Sequence, residues 1–262
     1  MGRTRGAFVV AMLAVTLACL AAPAPSLAVT NARRDWCFIA HAPHVRAGAP
    51  RSAVRLLDRY HGIWIGPRRH KVAYLTFDAG YERGTMRRLV GILDRAHVTA
   101  TFFLTGEYMR ANPGLTRSIT RHGHLIGSHS YSHPYMTSLA GSPQAFARQF
   151  RRTEQAYHAA TGGQLAKFFR APYGTYSARV LSLTRRLGYT SVFWSFAHVD
   201  WETGDQPPVS VTRTRLLAAG YPGVVYLLHA CSTSNLGALP AVIHRLKQRG
   251  FTFATVEGLA RP

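Results

Sequence analysis

A chain of 262 residues with 47% hydrophobic content is long enough to bury one large core, which excludes an overall disordered protein. Its formal charge of +21 invites a nucleic-acid partner. The basic residues are almost all arginine and are scattered with no aromatic-interleaved tract, so no nucleic acid is expected, and an anionic cell wall or membrane surface is the polyanion that such a charge would meet peripherally.

The first element is a leader. Arg3 and Arg5 precede an apolar run from Ala7 to Ala22, and "APAPSLA" follows with small residues Ser26 and Ala28 at the positions a signal peptidase reads. Residues 1–28 are therefore expected to be a signal peptide, and the protein to be secreted and associated with the cell wall. The run is short for a membrane span and proline follows it closely. Cleavage removes Cys19, leaving Cys37 and Cys231 either to pair with each other or, for Cys231, to stay a buried thiol.

Residues 29–70 are expected to be an N-terminal segment with a short helix in "AVRLLDRYHGIWIG". A single domain is expected from 71 to 258, because an alternation of two periods begins at Lys71. Apolar, β-rich runs occur at "KVAYLTF", "TATFFLTG", "HLIGSHS", "AKFFRAP", "TSVFWSF", "GVVYLLH" and "FTFATV". Helix-periodic segments such as "TMRRLVGILDRAH" and "ALPAVIHRLKQRG" lie between most of them. Repeated strand–helix units make a parallel sheet, and seven units with runs apolar on both faces fit a closed or nearly closed β/α barrel better than an open sheet.

The carboxyl ends of these runs carry Asp78, His129 and His133, Arg170, Asp200 and His229. In a β/α barrel all of those ends open on one face, where such enzymes place their chemistry. His129 and His133 are four apart in "HSYSHP", a spacing that brings two imidazoles onto one metal ion if the segment turns. Asp78 on the turn "DAGYERG" can cap a helix or act as a general base. Arg170 in "FFRAPYG" is held among aromatic residues and needs a carboxylate partner, for which Asp78 is the candidate.

The motifs "TFDAG", "HSYSHP", "RAPYG", "VDW" and "LLH", in this order, resemble the five motifs of polysaccharide deacetylases of the NodB-homology type, carbohydrate esterase family 4. Longer stretches, "GHLIGSHSYSHP" and "PGVVYLLHACSTSNLGAL" among them, resemble the branch that de-N-acetylates N-acetylmuramic acid in peptidoglycan on the way to muramic delta-lactam. The resemblance covers about residues 55 to 258 and implies a distorted (β/α)7 barrel. It also implies Asp78 as base, His129 and His133 as metal ligands, His229 as acid, Arg170 orienting Asp78 and Asp200 tuning His229. Trp201 and Leu227 would line the acetyl pocket, and the Tyr173 backbone N–H would hold the oxyanion.

Two positions depart from that family. Ala79 stands where the family usually has a metal-binding Asp, and Ala197 replaces another usual Asp. The implied divalent ion, zinc with manganese or cobalt as alternatives, is thus expected to be weakly held. The leading reading is an exported, monomeric peptidoglycan N-acetylmuramic acid deacetylase, with Arg83 as the first candidate to meet the lactyl carboxylate. Deacetylation of N-acetylglucosamine polymers is a second reading, and a non-catalytic wall-binding protein a third.

Overall fold

In the computed structural model of the chain, residues 29–260 are described. The expected signal peptide lies outside the described residues. Among the described residues no helix is long and apolar enough to cross a membrane.

All seven expected runs enter one parallel sheet. The N-terminal segment contributes β1 (Arg34–Asp35) and α1 (Arg51–Arg59), followed by β2 (Val72–Ala79), α2 (Met86–Arg95), β3 (Thr101–Leu104), α3 (Gly106–Ala111), α4 (Pro113–Arg121) and β4 (Leu125–Ser128). Next come α5 (Met136–Leu139), α6 (Pro143–Thr161), β5 (Phe168–Phe169), β6 (Thr175–Tyr176), α7 (Ala178–Arg186) and β7 (Thr190–Ser191). The chain ends with α8 (Val209–Ala218), β8 (Val225–His229), α9 (Thr233–Gln248) and β9 (Thr252–Phe253).

The strands are ordered β7-β5-β4-β3-β2-β8, with β9 also on β2. The sheet curls until the chain beyond β7 reaches the opposite edge, where Phe196 pairs with Tyr226 of β8. The ring is distorted because this seam is a single bridge, whereas β2 and β8 stay in register over five residue pairs from Tyr74↔Val225 to Asp78↔His229.

Alternation along the strands sorts the core into two layers. Leu75, Phe77, Phe102 and Leu104 face the helices and pack with Leu89 and Leu93 of α2 and with Leu239, Val242 and Ile243 of α9. Phe103, Phe168 and Val192 point inward and meet Ile63 and Val256. Gly127 on β4 makes room for this inner layer: a Cβ there would lie 2.8 Å from the Phe103 ring and 2.9 Å from the Phe168 carbonyl oxygen. Helix starts follow side-chain caps, with Thr105, Ser142, Ser177 and Ser232 each accepting a backbone N–H from the first turn of α3, α6, α7 and α9.

The N-terminal segment is built into this body. β1 pairs antiparallel with β6, Trp36 packs against Phe193 and donates its indole N–H to the Trp194 carbonyl at 2.9 Å, and Leu57 is fully buried. No disulfide joins it to the sheet: Cys37 is free and exposed, and Cys231 is free and buried, accepting the Tyr81 hydroxyl at 3.4 Å.

Candidate active site

Asp78, next to last in β2, lies beside its register partner His229 at the end of β8, so the strand pairing alone sets a carboxylate next to an imidazole. Behind Asp78 lies Arg170, which is 0% exposed. Its Nη1 donates to Asp78 Oδ1 at 2.8 Å, its Nε and Nη2 donate to the carbonyls of Val192 and Phe193 at 3.3 Å each, and its guanidinium covers the Phe103 ring. A buried arginine is tolerable only with this kind of pairing. Burial alone would raise the Asp78 carboxyl, but Arg170, His129 and His229 outweigh it and hold the group below its ordinary value, ionised at neutral pH.

Asp78 Oδ2 points the other way, 3.7 Å from His129 Nε2. His129 Nδ1 lies 2.8 Å from the Arg170 carbonyl oxygen. A carbonyl only accepts, so Nδ1 carries the proton and Nε2 keeps its lone pair. His133 Nε2 stands 3.1 Å from His129 Nε2. Burial lowers both imidazoles, His133 to about 4, so both are neutral at physiological pH.

The loop that makes this meeting possible is bent, with Ser130 and His133 in the left-handed region at φ 65° and 57°. Ser130 Oγ accepts the His133 N–H at 3.0 Å, and Gln149 of α6 accepts the N–H groups of Tyr131 and Ser132. Tyr173 is likewise left-handed at φ 59° and stacks on Tyr135 at 4.1 Å. Such backbone persists where surrounding structure fixes it, and it concentrates at functional sites.

Across the cleft, Asp200 is 1% exposed. Its Oδ1 accepts from His229 Nδ1 at 2.6 Å and its Oδ2 from the His229 backbone N–H at 2.8 Å. Burial alone would lower the His229 pKa, yet the hydrogen bond and charge of Asp200 more than offset it, and the imidazolium form is favoured beyond its ordinary range. The Trp201 ring meets the His229 ring edge-on at 5.4 Å.

These residues enclose a cleft of about 650 Å³. Asp78, His129, His133, Tyr173, Trp201, Leu227 and His229 line it, while Arg170 and Asp200 stand behind the wall. Ala79 belongs both to the outer core and to the cleft lining. Tyr81, Thr105, Glu107 and Trp194 also line the cleft without having been singled out in the sequence, and Cys231, expected to pair with Cys37 or to stay a buried thiol, lines it as a free thiol. Thr105 and Glu107 follow β3 on the same face and could have been found by the strand-end rule applied to that run; Trp194 carries no comparable signal. Arg83 lies outside the lining, with its guanidinium 5.5 Å from the centre of the Tyr81 ring.

The donor set fits a divalent ion of borderline softness. Two ligands sharing a tetrahedral zinc at about 2.0–2.1 Å stand a little over 3 Å apart, which matches the separation of the two neutral Nε2 atoms. Among the described residues no three His, Cys, Asp or Glu side chains form a closed metal cage. An ion held here therefore has open positions for water and substrate.

An ionised carboxylate, a pair of metal-competent imidazoles and a protonated imidazole around one cleft form an apparatus for amide hydrolysis. The chain as a whole is similar to known proteins. Residues 65–192 match the polysaccharide deacetylase family. The chain is 34% identical over 232 residues to the peptidoglycan-N-acetylmuramic acid deacetylase PdaA of Bacillus subtilis, covering 88% of each protein. The solved structure of that family 4 carbohydrate esterase superposes with a TM-score of 0.85 over 88% of this chain and 98% of its own. A family 4 carbohydrate esterase from Bacillus anthracis, 32% identical, superposes at 0.74 over 89% of this chain and 98% of its own. With fold and sequence in agreement over nearly the whole described length, the chain belongs to the polysaccharide deacetylase family.

Proposed function

We propose that the protein removes the acetyl group from N-acetylmuramic acid residues of peptidoglycan outside the cytoplasm, releasing acetate and leaving a free amine from which a muramic delta-lactam could close. The observation that carries this reading is the pairing across one cleft of Asp78–Arg170 with His229–Asp200. The 88% mutual coverage with a deacetylase of that substrate supports the choice of sugar. Export rests on the leader at residues 1–28, action as a monomer is part of the proposal, and the +21 charge favours contact with anionic wall polymers.

Deacetylases of this family are generally metal-dependent. A divalent ion, zinc or alternatively manganese or cobalt, held by His129 and His133 would polarise the acetyl carbonyl and acidify the attacking water. Asp78 Oδ2, the oxygen not committed to Arg170, takes a proton from the water as the water oxygen attacks the carbonyl carbon. The backbone N–H of Tyr173 donates to the oxyanion, while Trp201 and Leu227 pack on the acetyl methyl group. His229 turns Nδ1 to Asp200, so Nε2 gives its proton to the sugar nitrogen as the carbon–nitrogen bond breaks. Without that proton the amine is a very poor leaving group.

The test is acetate release and muropeptide mass spectrometry on purified peptidoglycan, with stem peptides present and removed. A mass loss confined to muramic residues is expected. Equal release from chitin oligomers and peptidoglycan would overturn the muramic preference and favour a glucosamine deacetylase.

A further inference from the structure

The wall behind His229 contains buried polar groups that the proposed reaction does not itself use. Asn235, 1% exposed near the start of α9, donates Nδ2–H to Asp200 Oδ2 at 2.6 Å, and its Oδ1 lies 3.2 Å from His198 Nε2. One acceptor orients the whole set. The Asp200 carboxylate can only accept, so the amide must face it with its NH₂ group, which turns Oδ1 toward His198. His198 must then carry its proton on Nε2. Its Nδ1 is left bare, buried and without a hydrogen-bond partner. Burial lowers the His198 pKa and suits that neutral form.

We propose that Asn235, locked by His198, is a positioning residue for the proton donor, fixing the rotamer of Asp200 so that Oδ1 stays on His229 Nδ1. This rests on the reading of His229 as the general acid. Asp200 Oδ2 has two donors, the His229 backbone N–H and Asn235; losing Asn235 leaves one lone pair unmet and the carboxylate freer to rotate away from the imidazole. The helix start is built around this task. Ser232 caps α9 by accepting the Asn235 N–H at 3.1 Å and donates to Gln206 Oε1 at 2.7 Å, while Gln206 Nε2 donates to the Asp200 and Glu202 carbonyls. His229, Ser232 and Asn235 thus come from one short stretch that stitches the Asp200 loop in place. The other charged or titratable groups that act on His229 are Asp78 and Arg170, with His129, His133 and His198 also within electrostatic reach.

The experiment compares Asn235→Ala, His198→Leu and His198→Gln in the full chain, with divalent metal in excess and peptidoglycan as substrate. In Asn235→Ala, kcat is expected to fall at least about tenfold, the scale of one hydrogen bond to a charged group, with KM within about twofold. The alkaline limb of the kcat profile should move to lower pH, and a ¹⁵N NMR titration of the His229 ring without substrate should move the same way. His198→Leu should act in the same direction, and His198→Gln, whose amide can still donate to Asn235 Oδ1, should recover most of the loss. Wild-type kcat, alkaline limb and ring titration in Asn235→Ala would overturn the proposal. If circular dichroism shows that variant unfolded, the two His198 variants decide, and equal rates and titrations in them overturn it. Should the wild type release no acetate, the functional reading alone fails, because the ring titration still reports on positioning.

Discussion

At the scale of single residues, the two oxygens of Asp78 have separate tasks, since Arg170 occupies Oδ1 and Oδ2 is turned toward His129. Asp78→Asn keeps the shape and would lose the proposed base, and His229→Ala would lose the proposed acid. Each is expected to lower acetate release at least about a hundredfold with unchanged circular dichroism, and near-full activity in either folded variant would remove that residue from the mechanism. The pH profile follows from the same pair. In the proposed mechanism His229 works protonated and its pKa is raised by Asp200, so the rate should fall as pH rises through a value above the ordinary histidine range. Asp78 works ionised and its pKa is lowered, so the acid limb should lie well below neutrality, bounded also by protonation of His133 near about 4, which competes with metal. An alkaline limb at or below the ordinary histidine range, or an acid limb above the ordinary carboxylate range, would contradict this assignment. Ala79 gives a third test. With alanine rather than a second carboxylate after Asp78, a metal held by His129 and His133 should be stripped easily by chelators, and Ala79→Asp, which adds an anionic ligand at the cleft wall, should tighten calorimetric metal affinity at least about tenfold. Unchanged affinity would mean that other groups complete the site.

At the scale of elements, the chemistry depends on tight loops held by neighbours. Asn31 donates to the Thr137 carbonyl at 2.9 Å and accepts from Ser177, and the Arg33 guanidinium covers the Tyr135 ring, so the N-terminal segment braces the loop that carries His133. The turn into β8 is equally constrained. Gly223 is left-handed at φ 82°, and a Cβ there would lie 2.4 Å from the Gly66 carbonyl oxygen, which is backbone and cannot swing aside. Gly223→Ala should therefore cost at least about 2 kcal/mol by chemical denaturation; a loss within about 0.5 kcal/mol would show that the turn can shift. Strand runs were legible in the sequence because burial on both faces writes a continuous apolar signal, as in "KVAYLTF". The antiparallel pair of β1 and β6 was not, since each strand has two residues and no periodicity to read.

At the scale of the whole molecule, the strand-end rule brought Asp78, His129, His133 and His229 to one mouth because a parallel ring directs all its carboxyl ends the same way. Asn235 escaped that rule: it lies in the first turn of α9, and its value appears only when the Asp200 loop folds onto that helix. The register pairing of Asp78 with His229 also has a kinetic meaning. Base and acid are separated by most of the domain's length along the chain, and contacts of such long range form late and slowly, since loop closure must precede them. The helices rest largely on local contacts and can appear sooner. During refolding from denaturant, deacetylase activity should thus return after the far-ultraviolet helical signal, as a reporter of the completed ring. Simultaneous recovery of the two signals would mean that β8 reaches β2 as early as the helices form.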